Sequence, residues 1–312
     1  MKCLVTGAAG FIGSHLCERL LQDGRHVVGL DAFIPFYDPA LKEANLALCR
    51  ANPRFRFLPL DLRNADLTPA LADVDVVFHL AAMPGLPRSW TDFDLYESCN
   101  VTATYRLLQA AEKQKLQRFL YISTSSVYGR YGSGDETLPT RPISPYGVTK
   151  LAAENLCRAF AEERGLPLVV LRYFSVYGPR QRPDMGYHRF IAALLDNKPI
   201  SVFGDGLQMR GNTYVSDCVA ATLAAVNALP GETFNIGGGE TASVWDILAK
   251  LERIIGRKAI VTRQPARDGD QRYTAADTTK LRRHLGWEPQ VGLDEGLARQ
   301  VAWQSGGRVA AA

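Results

Sequence analysis

Residues 2–31 read KCLVTGAAGFIGSHLCERLLQDGRHVVGLD, and their pattern decides the fold. The apolar run at residues 2–6 predicts a buried strand, and three glycines follow it at the spacing G-x-x-G-x-x-G. An amphipathic segment then predicts a helix to about residue 22, and residues 26–30 predict a second buried strand that leads into Asp31. Strand, glycine-rich turn, helix, strand and acid in this order are typical of a βαβ unit that binds a dinucleotide.

The glycines and the acid each have a physical role in such a unit. Gly7, Gly10 and Gly13 let the backbone turn sharply and approach a pyrophosphate, which the N-terminus of the following helix attracts. Asp31 lies 18 residues after Gly13, at a distance typical of the acid that binds the adenosine ribose. A carboxylate accepts hydrogen bonds from a 2′-hydroxyl but repels a 2′-phosphate, and residues 32–34 contain no arginine. NAD is therefore favoured over NADP.

The composition is that of a globular enzyme. The chain has 312 residues, of which 46% are hydrophobic and 22% charged, and its net charge of +4 does not favour a nucleic-acid partner. The six cysteines form no C-x-x-C pair, so we expect buried thiols in a reducing compartment and no metal site. The apolar runs fall short of the roughly 20 residues of a membrane span, and the N-terminus enters a strand at once. A cytoplasmic protein without a membrane partner is expected.

Strand and helix patterns alternate through residue 172. Strands are predicted at residues 55–62, 74–81, 118–123 and 168–172, and long helices at 92–113 and 145–164. This order predicts an α/β fold with a Rossmann-type doubly wound parallel sheet. After a turn-rich segment at 177–183, short strands near 200–203, 233–236 and 259–261 mix with helices near 187–196, 217–228, 243–256, 278–285 and 293–304. We expect residues 1–174 to bind NAD, with 211–240 returning to that domain, and residues 175–312 to form a smaller α+β substrate-binding part.

Candidate catalytic residues lie in two segments. Tyr146 and Lys150 are one helical turn apart and so project from one face, and Ser144 and Pro145 suit the start of that helix. A nearby ammonium and a positive nicotinamide ring are expected to lower the pKa of the phenol, so that it takes a proton from a sugar hydroxyl during hydride transfer. Thr124 follows a predicted strand and supplies a hydroxyl that shares this proton. Y-x-x-x-K alone is also the spacing of an ordinary surface pair, so the assignment depends on the glycine-rich turn.

The chain resembles the extended short-chain dehydrogenases/reductases of the nucleotide-sugar epimerase/dehydratase family over essentially its whole length. Within that family it is most similar to the UDP-glucuronic acid 4-epimerases. The segments that carry the resemblance are TGAAGFIG (6–13), HLAA (79–82), PGLPRSW (84–90), STSSVYG (123–129), SPYGVTK (144–150), LRYFSVYGPRQRPDM (171–185) and GDGLQMR (204–210).

The resemblance implies roles for individual residues. The catalytic set is Tyr146, Lys150 and Thr124. The implied NAD contacts are Gly7, Gly10, Phe11, Ile12, Gly13, Asp31, Asp61, Leu62, Leu80, Ala81, Ala82, Asn100, Tyr146, Lys150 and Tyr173. The implied substrate contacts are Arg88, Ser125, Ser126, Phe174, Ser175, Arg182, Met185, Arg189, Arg210 and Arg267, and the arginines among them suit a diphosphate. The family usually has Asp and an aromatic residue where this chain has Gly211 and Asn212, which puts the geometry of Arg210 in question.

The same resemblance distinguishes between reactions. The 4,6-dehydratases are expected to carry Asp-Glu directly after the threonine, and the UDP-glucuronate decarboxylases a Glu at the second position. Here these positions are Ser125 and Ser126, so the implied reaction is 4-epimerisation, with UDP-glucuronate and UDP-galacturonate as the favoured pair. Hydroxyl and backbone donors of the two serines, and Arg88, are candidates for binding the sugar carboxylate.

Alternatives remain open at this point. They are a UDP-glucose or UDP-N-acetylglucosamine 4-epimerase, a UDP-glucuronate decarboxylase, a net dehydrogenase and a non-catalytic NAD-binding protein. The helices at 92–113 and 145–164 pair across a two-fold axis in relatives, so a homodimer is expected.

Overall fold

The computed structural model describes residues 1–309. In chain order the strands are β1 (Lys2–Thr6), β2 (His26–Leu30), β3 (Phe55–Leu58), β4 (Val76–His79), β5 (Arg118–Thr124), β6 (Tyr131–Gly134), β7 (Leu168–Tyr173), β8 (Val176–Tyr177), β9 (Ile200–Phe203), β10 (Met209–Gly211), β11 (Thr213–Tyr214), β12 (Thr233–Ile236), β13 (Thr241–Ser243), β14 (Val261–Gln264) and β15 (Tyr273–Ala276). The α-helices are α1 (Phe11–Gln22), α2 (Pro39–Arg50), α3 (Thr68–Leu71), α4 (Phe93–Glu97), α5 (Ala103–Ala111), α6 (Pro145–Arg164), α7 (Gly186–Leu195), α8 (Val215–Ala224), α9 (Val244–Ile255), α10 (Thr279–Leu285) and α11 (Leu293–Val309).

Seven parallel strands form the central sheet in the order β12-β7-β5-β4-β1-β2-β3. From β1 the chain winds first towards β3 and then, from β4, in the opposite direction. Ligands of such sheets bind where the strand order reverses, outside the carboxyl ends of the strands. The predicted doubly wound α/β fold is confirmed. Strand β12 comes from the C-terminal part of the chain and extends this sheet beside β7.

Helices cover both faces of the sheet, which explains the continuous apolar runs of its strands. Successive residues of β1 show the arrangement, because Val5 belongs to the core beneath α1 and α8, whereas Leu4 belongs to the core beneath α5 and α6. The six cysteines are buried and unpaired.

The smaller part contains a four-stranded sheet in the order β13-β10-β15-β6 and two strand pairs, β8 with β11 and β9 with β14. Strand β6 comes from the N-terminal segment, so the two parts exchange strands. The strand predicted at 259–261 lies at Val261–Gln264. Residues 310–312 of the predicted C-terminal part lie outside the described chain. Within residues 1–309, no helix combines the length and apolarity that a membrane crossing requires.

The predicted helix at 92–113 is interrupted, unlike the expectation. A π-helical turn (Ser98–Thr102) separates α4 from α5. Asn100 in this turn points its amide at the backbone of Met83, and its carbonyl accepts a hydrogen bond from Thr104 Oγ1 at 2.7 Å. Such π-turns often occur at functional sites, and this one lies behind the loop that follows β4.

Candidate active site

The turn after β1 has the shape that a pyrophosphate requires. Gly7 has φ +71°, and a Cβ atom there would lie 2.9 Å from the backbone nitrogen of Ala81. A Cβ atom at Gly13 would lie 2.1 Å from the carbonyl oxygen of Gly7. Gly10 caps α1 without any side-chain hydrogen bond, so the N-terminus of this helix is open to an anion. These residues therefore fit the diphosphate of a dinucleotide.

Asp31 stands at the end of β2 and is only 7% exposed. Its Oδ2 accepts a hydrogen bond from the Ala9 amide at 3.3 Å, and its Oδ1 accepts one from the Phe33 amide at 2.9 Å. Lys42 Nζ lies 3.1 Å from Oδ1 as well. The sequence analysis missed Lys42, because its pairing with Asp31 depends on how α2 packs on α1 and β3.

One cavity connects the glycine turn, Asp31 and the catalytic segment along the carboxyl ends of β1, β2, β4, β5 and β7. Predicted site residues that line it are Gly7, Gly10, Phe11, Ile12, Gly13, Asp31, Asp61, Leu62, Leu80, Ala81, Ala82, Thr124, Tyr146, Lys150, Tyr173, Ser175, Arg182 and Met185. Predicted site residues outside the lining of this cavity, within the described chain, are Arg88, Asn100, Ser125, Ser126, Phe174, Arg189, Arg210 and Arg267.

Thr124 and Tyr146 form the hydroxyl pair of the cavity. Thr124 ends β5, and its Oγ1 accepts a hydrogen bond from the Ser126 amide at 3.2 Å. Ser144 caps α6 by accepting a hydrogen bond from the Gly147 amide at 3.1 Å, which sets the position of Tyr146 in the first turn. Burial raises the pKa of Tyr146, while the side chain of Thr124 and the charge of Arg182 act to lower it.

Lys150 lies in the cavity wall, one helical turn after Tyr146. Its ammonium donates a 2.6 Å hydrogen bond to the carbonyl oxygen of Ile122 and sits 4.4 Å from the centre of the Tyr121 ring. Burial lowers the pKa of Lys150 to about 8. The charge of Arg182 acts to lower the pKa of Tyr146, and the hydrogen bond of Lys150 to Ile122 ties α6 to β5.

A buried ion-pair network supports this segment from behind. Ser123 Oγ, in the cavity wall, donates to Glu154 Oε2 at 2.8 Å, and Glu154 pairs with Arg172 at 2.6 Å. Arg172 also donates to the Tyr128 hydroxyl at 2.8 Å. Burial raises the pKa of Glu154, but the hydrogen bonds and charge of Arg172 outweigh it and hold the pKa below its ordinary value. The sequence analysis missed this network, although Glu154 follows Lys150 by one helical turn.

His79, in the HLAA segment, has a structural role, because both of its ring nitrogens are hydrogen-bonded to threonine hydroxyls. Its Nδ1 is 2.8 Å from Thr6 Oγ1 and its Nε2 is 2.9 Å from Thr104 Oγ1. The Thr104 hydroxyl donates to the Asn100 carbonyl, so it accepts from Nε2–H and leaves Nδ1 as the acceptor for Thr6. Burial, with the charge of Lys150, lowers the pKa of His79 to about 3, so this histidine is neutral.

Asn100, predicted to contact NAD, is hydrogen-bonded to the backbone of a residue in the cavity wall. Its Oδ1 accepts from the Met83 amide at 2.7 Å, and its Nδ2 donates to the Met83 carbonyl at 3.1 Å and to Thr149 Oγ1 at 3.0 Å. Met83 lines the cavity. Asn100 therefore positions a lining residue from behind.

Arg88 and Arg182 flank the ring of Phe36 at the cavity edge. The guanidinium carbons lie 5.5 Å and 5.8 Å from the ring centre, respectively. Arg88 pairs with Asp92 at 2.7 Å, and Arg182 pairs with Asp184 at 2.9 Å. Of the two arginines, only Arg182 lines the cavity. The ion pair with Asp92 holds Arg88 beside the cavity.

The other predicted arginines form a group around Asp270. The charge of Asp270 acts on both Arg210 and Arg267, whose pKa values are lowered by burial, and Arg189 acts on Arg267. Arg267 stacks on Phe203, with its guanidinium carbon 3.3 Å from the ring centre. This group lies beyond the lining of the cofactor cavity.

Gly211 and Asn212 differ from the residues usual in the family, and Asn212 stabilises the backbone next to Arg210. Asn212 Nδ2 donates to the carbonyls of Arg210 at 2.9 Å and Glu240 at 3.0 Å, and its Oδ1 accepts from the Tyr187 hydroxyl. A Cβ atom at Gly211 would lie 3.2 Å from the Cα atom of Ala275, so β10 and β15 pack closely there. The geometry around Arg210 is therefore held by the asparagine.

Ser125 and Ser126 follow Thr124 in a short 3₁₀ turn and are 5% and 8% exposed. The carbonyl oxygen of Ser125 accepts a hydrogen bond from Gln271 Nε2 at 3.2 Å. Phe174 is fully buried and packs on Tyr128 with ring centres 6.1 Å apart. These three residues lie next to the cavity rather than in its wall.

Comparison with known proteins matches residues 3–237 to the NAD dependent epimerase/dehydratase family. A protein of Bacillus subtilis (strain 168), described as the uncharacterized UDP-glucose epimerase YtcB, is 47% identical over 98% of each chain. The UDP-glucuronate 4-epimerase of Thermodesulfobacterium geofontis (strain OPF15) is 38% identical over 96% of this chain and 95% of that protein. The crystal structure of UDP-glucuronic acid 4-epimerase from Bacillus cereus with UDP-glucuronic acid and NAD superposes with a TM-score of 0.96, at 47% identity over 98% and 99% of the chains.

The chain belongs to the NAD dependent epimerase/dehydratase family. The resemblance drawn from its motifs is confirmed, and membership of this family makes NAD its cofactor. The glycine turn, the open N-terminus of α1 and Asp31 fit that cofactor.

Proposed function

We propose that this protein is an NAD-dependent 4-epimerase that interconverts UDP-glucuronate and UDP-galacturonate. The observation that carries the proposal is that Thr124 and Tyr146 line one cavity together with the glycine turn and Asp31. The similarity to UDP-glucuronate 4-epimerases over nearly the whole chain supports the same substrate.

The hydroxyl pair, Thr124 and Tyr146, carries out the proton transfers of the proposed reaction. When bound, NAD would supply the redox chemistry, as acceptor of a hydride from C4 of the sugar and, in its reduced form, as donor of the same hydride back to C4. Tyr146, as the phenolate, takes the proton of the C4 hydroxyl and becomes the phenol, and the Thr124 side chain favours the ionised form before that transfer. After the 4-keto sugar has turned its other face to the cofactor, Tyr146 returns the proton. Arg182 favours the ionised phenol electrostatically, and Lys150 positions α6 on β5 through the Ile122 carbonyl.

The serines after Thr124 favour epimerisation over elimination. Removal of water from the sugar needs an acid–base pair of carboxylates, and Ser125 and Ser126 offer none. Their hydroxyl and backbone groups lie beside Thr124 and are proposed to bind the C6 carboxylate without protonating it. The 4-keto intermediate of UDP-glucuronate is a β-keto acid, so an ionised, hydrogen-bonded carboxylate without a proton donor also limits decarboxylation.

We propose that the nucleotide diphosphate lies between Arg182 at the cavity edge and the arginine group around Asp270. Ser175 and Met185, which line the cavity, then lie on the path between the hydroxyl pair and these cations, and Phe174 is buried beside the cavity. This arrangement corresponds to a cofactor domain of residues 1–174, completed by 211–240, and a substrate-binding part of residues 175–312.

A neutral UDP-sugar is the second candidate. Arg88 pairs with Asp92 and stays outside the cavity lining, so it does not present a free cation to a sugar carboxylate. The similar protein of B. subtilis is described as a UDP-glucose epimerase.

We further propose a cytoplasmic homodimer. The six buried, unpaired thiols support a reducing compartment. Large apolar side chains are exposed on the elements of the predicted dimer surface, with Phe93 45%, Tyr105 42% and Val148 47% exposed.

The test is incubation of the purified protein with single UDP-sugars, followed by NMR of the anomeric protons. We expect UDP-glucuronate to equilibrate with UDP-galacturonate without net formation of reduced nicotinamide, and the Tyr146→Phe variant is the matched control. UDP-xylose as the main product would identify a decarboxylase, and turnover of UDP-glucose alone would identify the neutral-sugar enzyme. Bound NAD without conversion of any sugar would contradict catalysis altogether.

A further inference from the structure

The ammonium of Lys42 lies beside the carboxylate of Asp31, which is expected to bind the adenosine ribose. Lys42 Nζ is 3.1 Å from Asp31 Oδ1, and both residues line the cofactor cavity. The two side chains are 12% and 8% exposed, respectively, so solvent screens the pair little. The ribose end of the cavity therefore carries both a negative and a positive group.

Packing fixes the position of this lysine. Asp38 caps α2 by accepting a hydrogen bond from the Ala40 amide at 2.9 Å. Asn45, buried one turn after Lys42, donates to the carbonyl oxygen of Ala9 at 3.1 Å and ties the helix to the glycine-rich turn. Residues three positions apart share a helix face, so Lys42 faces the end of β2.

Two aromatic rings complete the surroundings of the ammonium. Lys42 Nζ lies 5.7 Å from the ring centre of Phe33 and 5.6 Å from that of Tyr37. Phe33 reaches this place through a left-handed backbone conformation, φ 51°, in a turn closed by its own amide and Asp31 Oδ1. The loop after β2 thus encloses the lysine next to Asp31.

We propose that Lys42 is a specificity-determining residue of the cofactor site and a latent ligand for a 2′-phosphate. Asp31 neutralises this cation and repels a phosphate, so the wild-type site selects the 2′-hydroxyl of NAD. Once the charge of Asp31 is removed, the ammonium stays at the same place without its partner. The ammonium of Lys42 then attracts the two negative charges of a 2′-phosphate. The preference for NAD therefore depends on the carboxylate of Asp31.

The experiment measures which dinucleotide the full-length protein retains. Each variant is equilibrated with equal concentrations of NAD and NADP, separated from free nucleotide, and extracted, and the bound NADP-to-NAD ratio is quantified by chromatography. We expect Asp31→Asn to raise this ratio by about tenfold or more, and Asp31→Asn with Lys42→Met to lose that rise. Lys115→Met, which removes an exposed lysine from the loop after α5, is the matched control in the same background and should leave the rise intact.

An unchanged ratio in Asp31→Asn would overturn the proposal, as would an equal rise in the double variant. If Asp31→Asn retains no dinucleotide, the wild type and Lys42→Met are titrated calorimetrically with adenosine 2′,5′-bisphosphate and with 5′-AMP. The proposal then requires Lys42→Met to weaken binding of the bisphosphate more than binding of 5′-AMP, and equal weakening would refute it. Because no sugar is present, the outcome is independent of the proposed epimerase activity.

Discussion

At the scale of single residues, the decisive feature is the environment of the Tyr146 phenol. Burial favours its neutral form, and the Thr124 side chain and the Arg182 charge oppose that effect. The ionised form that a base requires therefore depends on these groups and on the charge of the bound cofactor.

Replacement of Tyr146 by phenylalanine tests this role. Only the phenol oxygen is removed, so we expect turnover to fall by about 10²–10⁴-fold, the usual contribution of general acid–base assistance, while NAD stays bound. The measurement is the initial rate by NMR together with the amount of NAD that copurifies. Tyr105→Phe removes a phenol from an exposed position and serves as the control. A Tyr146→Phe protein that turns over at nearly the wild-type rate would exclude Tyr146 as the base.

The depressed pKa of Lys150 makes a prediction about stability and pH. The pKa is about 8 in the folded protein, against an ordinary value of 10.5, so the unfolded chain binds more protons between these values. Stability therefore increases with pH across this window. Relative to Lys150→Met, the free energy of unfolding of the wild type should rise by about 2 kcal/mol between pH 8 and pH 10.

Urea unfolding of both proteins at pH 7, 8, 9 and 10 gives this difference. The measurements stop at pH 10 because the pKa of Tyr146 is raised in the folded protein. Above pH 10, Tyr146 therefore makes the free energy of unfolding fall as the pH rises. Parallel pH profiles of the two proteins would show that Lys150 does not titrate in this range.

At the scale of elements, α6 organises the site. Tyr146, Lys150 and Glu154 lie at intervals of four residues, so one face of the helix places them against β5. Ser144 and Pro145 define its start, and Gly165, with φ 69°, its end. These local signals are why its predicted boundaries of 145–164 are confirmed.

Loss of the cap of α6 should affect both stability and catalysis. Ser144→Ala leaves the Gly147 amide without its acceptor, so we expect a loss of about 1 kcal/mol in the free energy of unfolding and a lower kcat. Ser243→Ala is the matched control, because Ser243 caps α9 in the same way but outside the lining of the cavity. It should lose similar stability and keep its kcat, and an equal loss of kcat in both variants would mean that the cap does not position Tyr146.

At the scale of the whole molecule, the Glu154–Arg172 pair joins α6, β5 and β7 beneath the site. Glu154→Gln leaves the buried guanidinium of Arg172 without its counter-charge, so we expect a loss of about 3–5 kcal/mol in the free energy of unfolding. Glu295→Gln breaks the exposed ion pair with Arg299 and should cost less than about 1 kcal/mol. Urea denaturation measures both, and similar costs in the two variants would mean that burial of the pair is unimportant.

The proposed dimer gives a second prediction at this scale. Tyr105→Glu with Val148→Glu places charges on the exposed apolar surface of α5 and α6, so sedimentation at micromolar concentration should change from dimer to monomer. Leu229→Glu, at a position 72% exposed outside these helices, should remain dimeric. A wild-type protein that sediments as a monomer would refute the dimer.

The sequence by itself determined the parallel sheet, the glycine turn, Asp31 and the spacing of Tyr146 and Lys150. Each of these depends on local backbone geometry or on a short repeat, and such features are encoded within a few neighbouring residues. Only the tertiary structure decided that Lys42 pairs with Asp31, that Lys150 bonds to the Ile122 carbonyl, and that the charge of Arg182 acts on Tyr146. The partner of a charged side chain depends on which distant elements pack together and how deeply they bury it, and no local pattern carries that information.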